Sequence, residues 1–359
     1  QFFFSPLFGI LSDRKGRKPF IVIGLAGYSV SLILFSIATN LWLFYVLRIM
    51  GGIFSAAFLT GSIAYIADVT PVDKRGKGMA LYGSFIGLGL VAGPFIGSFF
   101  TNTNIHFYLS WLDLTIDSYT IPFLLSGLFS IIVSTALVFL LKEQLKFSKN
   151  KINLASLKIK EYFYDHKLSL KDTLVLLLLL SFISQFSLAM FEGTFAIHSE
   201  KFPQFDLKKI SIIFGVCGGV MSILQLGPVS WLIGKKGEAP LLPFGLIIMG
   251  IGMIFLMSTQ SFVLILVYVS LISIGMALLT PSLASLVSKV SHKNFGVSLG
   301  IFSSVNSLAQ AAGVLFGGIA LIWYTHLSYW LTAFLLIVSA ILILIKQRNK
   351  SSLKILSKN

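Results

Sequence analysis

The sequence predicts an all-α membrane protein, and three observations lead there. Residues are 56% apolar and 11% charged, against about one quarter charged in a soluble domain. Apolar runs of about 20 residues recur along the whole chain, each long enough to cross about 30 Å of hydrocarbon as a helix. The formal net charge of +15 is not spread evenly: of 28 Lys and Arg, 24 fall in segments 9–20, 68–78, 142–171, 234–240, 289–293 and 346–359. Those segments alternate with connections nearly free of basic residues, such as 101–120. That is the pattern of membrane orientation, with Lys and Arg gathered on the cytoplasmic side, and nucleic acid is not needed to explain it.

Apolar runs and their breakers place full spans near 20–38, 41–67, 79–101, 121–141, 173–198, 209–233, 241–259, 262–286, 296–322 and 328–346. Residues 1–8 reach only about 12 Å as a helix and read as the tail of a helix whose beginning is absent. Ten crossings return the basic segment 346–359 to the side of the opening loop, so both ends are expected in the cytoplasm. Segment 142–172 is the long hydrophilic insert, with eight Lys. Its middle, Ile152 to Tyr164, suits either a basic amphipathic helix on the membrane surface or a flexible linker. The expected organisation is a first bundle over 1–141, a linker over 142–172, a second bundle over 173–346 and a tail over 347–359. Cys217, alone in an apolar span, can form no internal disulfide and reads as packing.

An internal repeat supports the division. A shift of 221 lays Lys15 on Lys236, Gly16 on Gly237, Pro19 on Pro240 and Gly24 on Gly245; a shift of 220 lays Gly76 on Gly296, Gly93 on Gly313 and Gly97 on Gly317. Parallel halves of this kind build transporters from two six-helix bundles. The opening loop, Gly9 to Lys18, reads GILSDRKGRK and resembles the signature between the second and third helices of the major facilitator superfamily. Gly234 to Gly237 resembles a degenerate second copy. The resemblance implies a major facilitator fold of two pseudo-symmetric six-helix bundles, here without the first helix and most of the second.

It also implies a conformational latch made of Gly9, Asp13, Arg14, Gly16, Arg17, Lys18 and Asp68. Asp13 would face the positive N-terminus of a helix in the opposite half, and Arg14 would pair with Asp68 at the end of the fourth family helix. Arg48, with Gly51 and Gly52, is similar to the family's proton-coupling motif; a charge in hydrocarbon is costly, so it either faces a cavity or snorkels to the outer interface. Gly89, Gly93, Pro94 and Gly97 resemble the fifth-helix motif of drug/proton antiporters, a ridge that seals one half against the other or else simple helix packing.

Glu192 is the acid read as intramembrane, either a proton carrier or an interface residue. Gln185, Phe191 and Phe195 beside it would form a polar and aromatic cavity wall. Asn306 and Gln310, four apart on one helical face, would touch substrate or bind helix to helix. Nothing in the sequence resembles a metal-ligand cluster, a nucleotide loop or a nucleophile with its base, so no metal, cofactor or enzymatic activity is expected.

The reading is a monomeric multi-pass carrier of the cell membrane whose partners are a small-molecule substrate, protons and the lipid bilayer. Proton-coupled efflux of hydrophobic or amphipathic compounds by alternating access is the function implied. Two alternatives stay open: a carrier of sugars, metabolites or organic anions, and a non-transporting receptor or truncated remnant.

Overall fold

Hydrocarbon offers the backbone no hydrogen-bond partner, so each apolar run must satisfy its own N–H and C=O groups as a helix. The computed structural model describes residues 1–101, 106–109, 114–143, 173–199, 205–256, 258–291, 295–323 and 325–348. Its helices are α1 (Phe4–Lys15), α2 (Lys18–Ser36), α3 (Leu41–Val69), α4 (Arg75–Thr101), α5 (Ile121–Leu140), α6 (Thr173–Ser199), α7 (Leu207–Leu226), α8 (Pro228–Lys236), α9 (Leu241–Leu256), α10 (Phe262–Val290), α11 (Phe295–Trp323) and α12 (Thr325–Arg348). Among the described residues, nine helical stretches are long and apolar enough to cross a membrane, and α9 adds a shorter apolar helix of 16 residues. The protein is a multi-pass membrane protein.

Three expectations change. The run 209–233 is not one helix: it breaks at Gly227, and Pro228 opens α8, because proline has no N–H to continue the ladder and crowds the preceding turn. The run 241–259 ends early, at Leu256. In the connection after α4, strands β1 (His106–Leu109) and β2 (Leu114–Asp117) pair antiparallel, a small hairpin in an otherwise helical chain. The helix considered for Ile152 to Tyr164, the rest of the linker beyond Glu143 and the tail from 349 onward lie outside the described residues.

The two halves repeat each other. In the first, α2 packs on α3 and α5; in the second, α9 packs on α10 and α12. Gly16 and Gly237 are the glycines with positive φ among the described residues, 93° and 76°. Both stand at the end of a helix where a side chain would be strained, and glycine is free to turn. The halves meet along two seams, α1 against α11 and α4 against α7. Close approach is achieved by missing side chains: a Cβ on Gly9 would lie 2.5 Å from the Gly296 carbonyl oxygen, and one on Gly218 2.5 Å from that of Gly87.

Candidate functional site

The site is a charged clasp built on the loop between α1 and α2, at the end of the α1–α11 seam. The left-handed turn at Gly16 reverses the chain, so that Arg17 folds back beneath the last turn of α1. Its side chain is 1% exposed. Nε donates to Asp68 Oδ2 at 2.9 Å, Nη1 donates to Ser12 Oγ at 2.6 Å, and Nη2 is paired with Asp13 Oδ1. Asp13 Oδ2 accepts the backbone N–H of Val297 at 3.1 Å, in the first turn of α11. A carboxylate from the first half therefore meets a positive helix end of the second. Gly296 is required there, because a Cβ would run into the Asp13 carboxylate and Arg17.

Glu143, just past α5, closes the clasp from the other side. Its oxygens accept the backbone N–H groups of Arg17 and Lys18, each at 3.2 Å, which caps the start of α2. Arg75 links the halves again: Nε donates to the Ala67 carbonyl at 3.0 Å and Nη1 to the Ser288 carbonyl at 3.3 Å. Burial holds the Asp13 carboxyl above the ordinary carboxylate range, against the opposing pull of Arg17.

One expected pairing is corrected. Asp68 is paired with Arg17, whereas Arg14 is exposed. The reason is geometric: successive residues of a helix lie about 100° apart, so beside Asp13 the next side chain points away, and only a residue beyond the Gly16 reversal returns beneath it. Lys18 contributes its backbone N–H, and Gly9 contributes the close contact with α11.

The second half carries a counterpart. Glu238 is buried after α8, with Lys289 Nζ donating to Oε1 at 2.6 Å and Ser285 Oγ at 2.7 Å. The same oxygen lies 2.8 Å from where a Cβ on Gly76 would stand, at the start of α4. Glu143, Glu238, Lys289, Ser12 and Arg75 are site residues that motif reading missed. The signal for two of them was available, because the repeat offset of 221 carries Arg17 onto Glu238 and Asp68 onto Lys289.

The remaining candidates lie in the membrane-spanning part. Gly89, Gly93 and Gly97 do not form the expected seal: a Cβ on any of them meets nothing within 4 Å among the described residues. The seal along α4 is made on the opposite face of the helix, where Gly83 and Gly87 face Gln225, Gly218 and Ser222, and Ser222 Oγ donates to the Ser84 carbonyl at 2.8 Å. Pro94 contributes its carbonyl, which accepts from Ser211 Oγ at 3.4 Å.

Phe191 and Phe195 are not an open cavity wall either, being 0% and 3% exposed and packed with Ile213 and Cys217. Asn306 accepts from Ser181, and Gln310 Nε2 donates to Gln185 Oε1 at 3.5 Å, two rungs one turn apart that tie α11 to α6. Arg48 is exposed and lies over the Phe35 ring at 4.5 Å. Glu192 sits half-buried in α6.

The model of the Major Facilitator Superfamily matches residues 1–237 and 226–358. The chain is 27% identical over 352 residues to multidrug resistance protein 2 of Bacillus subtilis, covering 98% of this chain and 84% of the relative. It is 22% identical over 354 residues to the quinolone resistance protein NorA of Staphylococcus aureus, covering 99% and 86%. Among solved structures, the human organic anion transporter MFSD10 superposes with a TM-score of 0.77 at 21% identity, over 96% of this chain and 80% of that one. The proton:xylose symporter XylE superposes with a TM-score of 0.72 at 16% identity, over 96% and 83%. With matching fold, repeated turn and family model spanning both halves, the chain belongs to the major facilitator superfamily.

Proposed function

We propose that this transporter exports hydrophobic or amphipathic small molecules across the cell membrane, driven by proton entry, by alternating access. The observation that carries the reading is that the charged links between the halves, Asp13 to Val297 and Arg75 to Ser288, gather at one end of both seams. Such links hold that end shut while they exist and let the halves rock apart when they break. The basic loops put that end in the cytoplasm, so the clasped form is the one that opens outward. The relatives named for multidrug and quinolone resistance support efflux as the direction and apolar compounds as the substrate class.

Glu192 is the proposed proton carrier and Arg48 its proposed accessory, since an ionisable group within a span is costly unless it has a task. Gln185, Asn306 and Gln310, whose polar side chains run along the contact of α6 with α11, are the residues proposed to meet substrate in the opened form. The test is uptake of a fluorescent hydrophobic cation by inside-out vesicles under an imposed pH gradient. Loss of gradient-driven uptake in Glu192→Gln, with substrate-driven exchange retained, supports the carrier role. Full coupling in that variant removes it, and absence of gradient-driven movement in the unmodified protein removes proton-coupled export.

A further inference from the structure

We infer that the first half holds an anionic phospholipid, with its acyl chain in a groove among α1, α2 and α3 and its phosphate on Lys15. The groove has a volume of about 640 Å³ and is lined by Phe8, Phe20, Ile23, Phe54 and Ala57, with Pro19 and Lys15 at one end. That volume falls within the range of built ligand sites. The lining is apolar except at that end, where Lys15 is exposed. A chain of hydrocarbon below a single cationic mouth is complementary to a lipid with a negative head, and basic residues at the membrane surface attract such lipids.

The repeat shows that the groove is particular to this half. An offset of 221 carries Phe8, Phe20 and Ala57 onto Val229, Leu241 and Leu278. Those three are 2%, 5% and 7% exposed and pack together in one cluster. The second half fills with its own side chains the space that the first leaves open, and the small Ala57 in place of a leucine is part of the reason. The lysine is kept in both, as Lys15 and Lys236.

The test uses the purified protein in detergent, mixed with equal amounts of dioleoyl phosphatidylglycerol and dioleoyl phosphatidylcholine, with bound lipid counted by native mass spectrometry. Phosphatidylglycerol should be retained at least fivefold over phosphatidylcholine. Lys15→Gln should abolish that preference and Lys15→Arg restore it. Ala57→Leu should lower retention fivefold or more, and so should Ile23→Gln, a change at an exposed position that leaves folding intact. Glycerol phosphate, the headgroup alone, should not be retained. Equal retention of the two lipids by the unmodified protein, a preference that survives Lys15→Gln, retention of glycerol phosphate, or unchanged retention in both groove variants would overturn the assignment.

Discussion

Arg17 and Glu238 occupy equivalent places in the two halves and carry opposite charges. Arg17 is held to Asp68 at 2.9 Å and Glu238 to Lys289 at 2.6 Å, and both pairs are related by the same offset of 221. An ion pair keeps its attraction when both signs are exchanged, but the helix end facing it does not. In the second half Glu238 lies directly against the start of α4 at Gly76. In the first, Arg17 carries the wrong sign for a helix N-terminus, and Asp13 stands between it and Val297. Both halves thus present a carboxylate to the opposing helix by different routes.

Removing Arg17 takes away the buried guanidinium that binds the half-buried carboxylates of Asp13 and Asp68, and leaves Arg75 as the cation near Asp68. Arg17→Ala should cost about 3 to 5 kcal/mol of stability, as breaking a buried pair does, and should abolish transport. Arg14→Ala, at an exposed position, should change stability by no more than about 0.5 kcal/mol. Thermal unfolding in detergent and vesicle uptake measure both, and equal effects of the two variants would contradict the assignment of the hub to Arg17.

Inverted polarity in the second half makes a reciprocal exchange informative. Glu238→Lys should destabilise by placing two cations together and by turning a positive group toward α4. Adding Lys289→Glu should restore the ion pair and recover part of the stability, with the helix-end contribution of about 0.3 to 1 kcal/mol still missing. Additive effects in the double variant, read by a double-mutant cycle, would show that the pair is not coupled.

Glycines in α4 should separate into two groups. Gly218→Val, opposite Gly87, overpacks the seam and should cost about 1 to 3 kcal/mol along with transport. Gly93→Ala, where a Cβ meets nothing within 4 Å among the described residues, should be neutral or stabilise by up to about 1 kcal/mol through helix propensity. Thermal unfolding of the two variants is the check, and a large loss from Gly93→Ala would show that the Gly89 to Gly97 face packs after all.

In the proposed alternating-access cycle, Asp13 should make the clasp sensitive to pH. Burial raises its carboxyl in the clasped form, and opening returns it to water and to an ordinary value near 3.9. The form with the higher value is favoured as pH falls. Its contribution is therefore fully present below the ordinary value and lost as pH rises through the raised one. Spin labels on the clasp-side ends of α1 and α11, followed by pulsed resonance across that window, should show more of the short distance at lower pH. Asp13→Asn should flatten the response, and an unchanged response would exclude Asp13 as its source.

Much of this was legible in the chain itself. The membrane class, most helical spans, the duplicated halves and the loop carrying Asp13 and Arg17 follow from apolar length, basic-segment alternation and a repeat offset, all of which act locally along the sequence. What only tertiary structure decided was which side chains meet. Arg17 rather than Arg14 joins Asp68 because a positive φ at Gly16 redirects the chain, Gly83 and Gly87 rather than Gly89, Gly93 and Gly97 form the seam because helix rotation selects one face, and Glu143 and Glu238 enter the clasp and its counterpart from distant segments. Pairings across more than a hundred residues depend on how helices are rotated and seated against one another, and no spacing rule within one helix contains that information.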